Sequence, residues 1–280
     1  MCRKNGVLHK LMNRIIYAML TLAALTSCAN SYNIQGSSNV QMLDGHMLYL
    51  KVYSNNTLKN VDSCDVVHGQ FHFTGTVDST RMATLCVDND GILPIVIESG
   101  DIVVRIDNMQ QRASGTPLND KLSDFMEEYG KLQNQIADLP HKESQAIMDG
   151  EDEIATRQRL NQEYNEIVSN TDQLVTSFIE ENFDNALGPG VFFMMTAGYP
   201  HPVLQPWIEA LMAKASDNFK NDAYVRDYYS KAKENEAIAN GTADPGVALP
   251  AEPAKAALPH VPTPAELAAP TEADSLTTNE

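Results

Sequence analysis

Apolar and polar positions change their spacing three times along the chain. From residue 31 to 110 the period is two. Leu48, Leu50 and Val52 alternate with Met47, Tyr49, Lys51 and Tyr53, and Phe71 and Phe73 alternate with His72 and Thr74 between Gly69 and Gly75. A period of two places one set of side chains on one face, which predicts strands with one buried side. The runs Met82 to Val87 and Ile92 to Ile97 flank Asp88-Asn89-Asp90-Gly91, a hairpin-turn composition. Glu98-Ser99-Gly100-Asp101 is a second turn before the run Ile102 to Ile106. Pro94 predicts an edge or a bulge, because it cannot donate to a ladder.

From 116 to about 239 the spacing becomes helical. Leu118, Leu122, Phe125, Met126, Tyr129, Leu132 and Ile136 form one stripe, and the series Ile154, Leu160, Tyr164, Ile167, Val168, Leu174, Val175, Phe178 and Ile179 forms another. Asn182 to Asn185 and Gly188-Pro189-Gly190 read as breaks. A short apolar piece follows from Val191 to Met195, and two more helices are predicted around Trp207 to Ala213 and from about Asp222 to Ala239. Residues 240–280 have no aromatic residue and are rich in Ala, Pro, Glu and Thr, so they cannot bury enough apolar surface to order themselves. Where polyproline-like, this tail spans roughly 3.1 Å per residue, on the order of 100 Å in all. The expected fold is α+β: an N-terminal antiparallel β-sandwich or open barrel over residues 28–113, a helical region over 114–239 and a disordered tail over 240–280.

The N-terminus has its own pattern. Arg3, Lys4, Lys10 and Arg14 precede an apolar run from Ile15 to Leu25, too short to span a bilayer as a stable helix. Leu25-Thr26-Ser27-Cys28 closely resembles the lipobox of bacterial lipoproteins. Residues 1–27 are therefore expected to be a signal peptide cleaved between Ser27 and Cys28, with Cys28 lipidated. Met12 is an alternative start, since Met12-Asn13-Arg14 is a sufficient charged region. Several acyl chains on one residue would hold the mature protein to the bilayer without crossing it. No aspartate follows Cys28 and no acidic cluster is near it, so the expected location is the periplasmic face of the outer membrane.

Charge narrows the function classes. The chain has 20 Lys and Arg against 37 Asp and Glu, a net charge of −17. Losing the four leader cations would take the mature chain to −21. Such a chain repels nucleic acid and anionic headgroups, so no nucleic-acid partner is expected. Of four cysteines, Cys2 leaves with the leader and Cys28 is acylated. Cys64 and Cys86 remain, either as a disulfide permitted in the periplasm or as small buried apolar groups.

Other candidate chemistry is sparse. His68 and His72 have the spacing of a single helix face but flank a turn and a strand, so a metal site is not expected. Asp88, Asp90 and Gly91 are part of a calcium-loop pattern that fails at Cys86 and Ile97. No CxxC, GxSxG, HExxH, phosphate loop or dinucleotide fingerprint occurs, and neither an enzyme activity nor a cofactor is expected. Glu127 and Glu128 point in different directions on their helix. Asp78-Ser79-Thr80 and Asp274-Ser275-Leu276 resemble a short O-glycosylation sequon of exported proteins in some gut bacteria, which makes Ser79 and Ser275 candidate acceptors.

One series of motifs carries a wider resemblance. It runs through Tyr32-Asn33-Ile34-Gln35-Gly36, Asp44-Gly45, Leu48-Tyr49-Leu50, Val61-Asp62-Ser63, Gly69-Gln70-Phe71-His72-Phe73-Thr74-Gly75, Ile97-Glu98-Ser99-Gly100, Ser114-Gly115-Thr116 and Asn119-Asp120. This order resembles domain-of-unknown-function family 4369, found in lipoproteins of Gram-negative gut bacteria. Phe178-Ile179-Glu180-Glu181-Asn182, Asp184-Asn185 and Leu187-Gly188 are similar to the helical segment that follows that domain. The resemblance implies an antiparallel β domain with helices and brings no catalytic residue. In many relatives a thioredoxin-like domain with CxxC follows; here the proline-rich tail stands in that place. Three readings remain open. The first is a non-catalytic envelope lipoprotein binding another envelope protein. The second is a carrier or sensor of a small apolar ligand among Phe192, Phe193, Met194, Met195 and Trp207. The third is an accessory to thiol–disulfide exchange through Cys64 and Cys86.

Overall fold

The computed structural model describes residues 30–54, 57–88, 90–107 and 110–242. The expectations placed on the leader, on Ser27 and Cys28, on Ser275 and on the tail beyond 242 lie outside the described residues. Eight strands come first: β1 (Ser31–Ser38), β2 (Met47–Ser54), β3 (Thr57–Asp65), β4 (Gln70–Thr76), β5 (Arg81–Val87), β6 (Asp90–Ile97), β7 (Gly100–Ile106) and β8 (Gln111–Ser114). They form two four-stranded sheets, ordered β4-β1-β7-β8 and β3-β2-β5-β6. Neighbours are antiparallel except β1 and β7, which run parallel. The expected antiparallel sandwich is thus observed with one amendment. A parallel pair needs a long crossover, and the whole second sheet plus β4 lies between β1 and β7.

The alternating residues decide which faces meet. Ile34, Leu50, Phe73, Leu85, Ile95 and Ile102 fill the space between the sheets. The apolar members of each alternating run point inward and remove their surface from water, at about 25 cal/mol per Å². β6 is buried on both sides: Leu93, Ile95 and Ile97 face this first core and Val96 faces away from it into a second. Pro94 sits where its chemistry predicts, on the end strand of its sheet. A register shift between Leu85 and Cys86 lies next to it.

Six helices follow: α1 (Pro117–Met148), α2 (Glu153–Glu181), α3 (Leu187–Thr196), α4 (Pro206–Lys214), α5 (Asp217–Asn221) and α6 (Ala223–Ala239). Gly188-Pro189-Gly190 does not break the chain as expected but lies in the first turn of α3. The amides of a first turn have no intrahelical acceptor, so a proline there removes nothing. Glycine at 190 is required by packing, since a Cβ there would lie 2.1 Å from the Met82 sulfur. The helices share a second core with Phe125, Phe178, Phe192, Ile208 and Phe219, which reaches the outer side of β5 and β6 through Met82 and Val96.

α1 and α2 form an antiparallel hairpin closed by Asp149 to Asp152, with Gly150 at φ +74° ending α1 in the left-handed conformation. Asp152 caps α2 by accepting a hydrogen bond from the Ala155 amide at 2.8 Å. Among the described residues, neither core has a member between Tyr129 and Leu174. Beyond its base the hairpin packs on itself, through Ala146, Thr156, Leu160 and Ile167. No helix among the described residues is long and apolar enough to cross a membrane.

Candidate functional site

The motif residues converge on the seam between sandwich and helices. β6 and β8 end their respective sheets, and the first turns of α1 lie across both. Asn119, with 0% exposure, accepts from the Val96 amide at 2.9 Å and donates to the Val96 carbonyl at 2.8 Å. A side-chain amide thereby supplies both halves of the pairing that a further strand would give to β6. One turn later Ser123 does the same for β8, donating to the Ala113 carbonyl and accepting from the Ala113 amide. The spacing i, i+4 puts both on one helix face.

Glu98 completes the seam. Its Oε1 accepts from the backbone amides of Leu118 and Asn119 at 2.9 and 3.0 Å, satisfying donors of the α1 N-terminus that have no intrahelical partner. Thr116 Oγ1 accepts from Asn119 Nδ2 at 2.9 Å. Unpaired buried polar groups cost about 1–3 kcal/mol each, so this network fixes the helix to the sheets. Its members are mutually saturated, which makes it a structural joint rather than a reactive centre.

The glycine-aromatic motif is structural for a related reason. Gly36 pairs with Phe71 and Gly75 with Tyr32 across β1 and β4, and a Cβ on either glycine would enter the ring opposite, at 2.0 and 2.7 Å. Tyr32 donates to Asp62 Oδ2 at 2.9 Å, and burial followed by that carboxylate pushes its phenol far above the ordinary value.

The two cysteines do not come together. Cys64 on β3 pairs with Leu48 and Cys86 on β5 pairs with Tyr49, so they occupy opposite faces with β2 between them. Two strand spacings are roughly 9–10 Å, beyond disulfide reach. Both are free, so of the two alternatives the disulfide is not formed. Burial raises both thiols, that of Cys86 to about 11, so neither is poised for exchange. The thiol-accessory reading loses its basis. His68 lies in a turn at φ +52°, and His72 Nε2 is 2.6 Å from Asn33 Oδ1; no cluster of metal-ligating groups occurs among the described residues. Ser79 is exposed, and its hydroxyl accepts from Arg81 at 2.9 Å.

The proposed ligand cluster splits. Phe192 is fully buried against Trp207, Phe219 and Tyr228, a packed core with ring centroids 5.5–6.0 Å apart. Phe193 and Met194 turn the other way. They line an open cleft of about 670 Å³ between the outer face of the β3-β2-β5-β6 sheet and helices α3 and α6. Its floor holds Tyr53, Phe193 and Tyr224, half-buried and mutually packed, with centroids 4.3, 5.3 and 4.9 Å apart. Burial pushes the Tyr224 phenol up to about 12 and raises that of Tyr53, the latter helped by Asp227. The cleft offers ring faces and thioethers, and Arg226 and Asp227 in its lining are ion-paired at 2.9 Å.

The far end of the hairpin groups the three most exposed large apolar side chains among the described residues. Ile147, Met148 and Ile154 are 61%, 81% and 71% exposed around the turn. Residues 143–154 hold five acids, of which Glu151 and Glu153 pair with Arg159 and Arg157.

Residues 32–122 match the family model described as Domain of unknown function (DUF4369), ending just past Asn119. No curated protein and no solved structure matches the chain. The matched segment takes in the sandwich and the first turns of α1, so the joint at Asn119 lies inside the region that is similar to that family.

Proposed function

We propose that this protein is a non-catalytic, lipid-anchored adaptor of the cell envelope that captures another protein with the far end of the α1–α2 hairpin. The observation that carries this reading is the exposure of Ile147, Met148 and Ile154 together at that end. Leaving each such side chain in water forgoes about 1.5–3 kcal/mol relative to burial, and clustered exposed apolar groups mark contact sites. The acids of residues 143–154 argue against an anionic bilayer as the surface met there. Glu143, Asp149 and Asp152, which form no ion pair with a cation among the described residues, favour a protein partner with an apolar centre.

Anchoring through Cys28 to the periplasmic face of the outer membrane is part of the proposal, supported by the lipobox sequence. β1 begins at Ser31, so the anchor would leave the sandwich close to the bilayer. The hairpin would then carry its end on the order of 45 Å from its base, at 1.5 Å per residue. A carrier of a small apolar ligand inside the helices is the weaker reading, because Phe192 and Trp207 pack as core.

A photo-crosslinking residue at position 148, activated in intact cells, tests the adaptor. A single abundant adduct that disappears with Ile154→Glu supports it. Adducts only with lipid, or none, overturn it. Labelling with a palmitate analogue, lost in Cys28→Ala, tests the anchor separately.

A further inference from the structure

We propose that the aromatic cleft is the docking site of the chain's own proline-rich tail, residues 243–280, with residues 250–264 as its occupant. Three observations carry this.

The first is the chemistry of the lining. Tyr53, Phe193 and Tyr224 pack on one another edge to face or tilted, so they form no box around a cation and instead present half-buried ring surface. Met82, Met194 and Pro94 extend this apolar floor. Grooves of this composition take extended proline-rich segments, whose preformed backbone loses little entropy on docking. The second is the tail's sequence. Its seven prolines include two P-x-x-P units, Pro250-Ala251-Glu252-Pro253 and Pro259-His260-Val261-Pro262. Residues 250–264 carry one acid, Glu252, and one lysine, Lys255. The cleft lining carries Lys51, Arg81 and Arg226 against Asp222 and Asp227, so this chain's general acidity does not repel the segment.

The third is reach. The N-terminal turn of α6 supplies Ala223 and Tyr224 to the cleft, and the helix then runs 17 residues away from it, about 26 Å at 1.5 Å per residue. Returning along it at roughly 3.1 Å per residue, residues 243–250 cover about 25 Å. That brings Pro250 back to the cleft with the two P-x-x-P units following. A tether this short sets an effective concentration in the millimolar range, so a modest intrinsic affinity keeps the cleft filled until a stronger proline-rich ligand displaces the tail.

The test uses the full chain with isotopically labelled methionine methyl groups and a fourfold variant, Pro250→Ala, Pro253→Ala, Pro259→Ala and Pro262→Ala, which leaves both cores untouched. The Met82 and Met194 methyl resonances are expected to move in the variant while that of Met148, at the hairpin end, stays. A synthetic peptide of residues 243–270 is expected to bind the variant at least ~10-fold more tightly than the unsubstituted chain, where the tethered tail competes. Unmoved Met82 and Met194 signals, or equal peptide affinity for both chains, overturn the proposal. Shifts that grow with protein concentration overturn it in favour of the tail of a second copy.

Discussion

The base and the far end of the α1–α2 hairpin are the same two helices in different surroundings. At the base, Leu122, Phe125, Val175, Phe178 and Ile179 enter the second core, and Asn119 and Ser123 close two sheet edges. At the far end, Ile147, Met148 and Ile154 face water, with Ala146, Thr156 and Leu160 the buried residues nearby. Both ends carry apolar residues on a helix. What separates them is whether an apolar surface of this chain lies opposite. Substitutions at the base should therefore act on folding, and those at the far end on association.

The largest effect is expected for Phe178→Ala. Its ring stacks on Phe125 at 4.3 Å, and loss of a buried phenylalanine costs about 3–5 kcal/mol. Urea unfolding should show the midpoint falling by most of its value. Asn119→Leu should cost about 3 kcal/mol, because both polar groups of Val96 and the Thr116 hydroxyl lose buried partners. The same change at an exposed helical asparagine should do almost nothing. If Asn119→Leu unfolds like wild type, the joint is not what fixes α1 to the sandwich.

Alkaline pH should then separate the sandwich with its cleft from the hairpin. Cys86 titrates at about 11 in the folded chain against an ordinary 9.0, and Tyr224 at about 12 against 10.0. Both are raised, so the folded state holds these protons more tightly than the unfolded state. Their contribution is full below pH 9 and is lost as pH rises through 11 and 12. Cys86→Ala should remove the earlier part of that loss in unfolding measured from pH 8 to 11. Smaller again is the Lys142–Glu163 ion pair across the hairpin; Lys142→Met should cost about 0.2–1 kcal/mol, an effect that shrinks in high salt. The smallest change in stability, within about 0.5 kcal/mol, is expected for Met148→Glu together with Ile154→Glu. That pair should nonetheless abolish partner capture. A large stability loss from it would mean that the end is packed in a way the comparison denies.

Much of the architecture could be read from side-chain spacing, and the exceptions share a cause. β2 and β4 were legible because Leu48, Leu50, Phe71 and Phe73 each face the core alone. β3 was legible only within the strand-like stretch as a whole, because Leu58, Val61 and Cys64 recur every three residues on a largely exposed strand that β2 recruits by backbone pairing. α1 runs on to Met148 beyond the expected stripe, through Pro140, because its distal half answers to α2 rather than to a core. The candidate site was less visible. Glu98 and Asn119 stood in the motif series, but their role depends on Val96, 23 residues before Asn119. Tyr53, Phe193 and Tyr224 come from three distant segments, and only folding makes them neighbours.

The position of Asn119 has a mechanical consequence. It lies at the inner end of a helix whose outer end, Met148, is about 44 Å away at 1.5 Å per residue. A load applied at the outer end acts on a long lever, and Asn119 and Ser123 resist it together with Glu98 and the core residues Leu122 and Phe125. If they yield, β6 and β8 are uncovered at the same moment, and each can then template the addition of a foreign strand. A tug on the hairpin would thus be converted into a newly adhesive sheet edge.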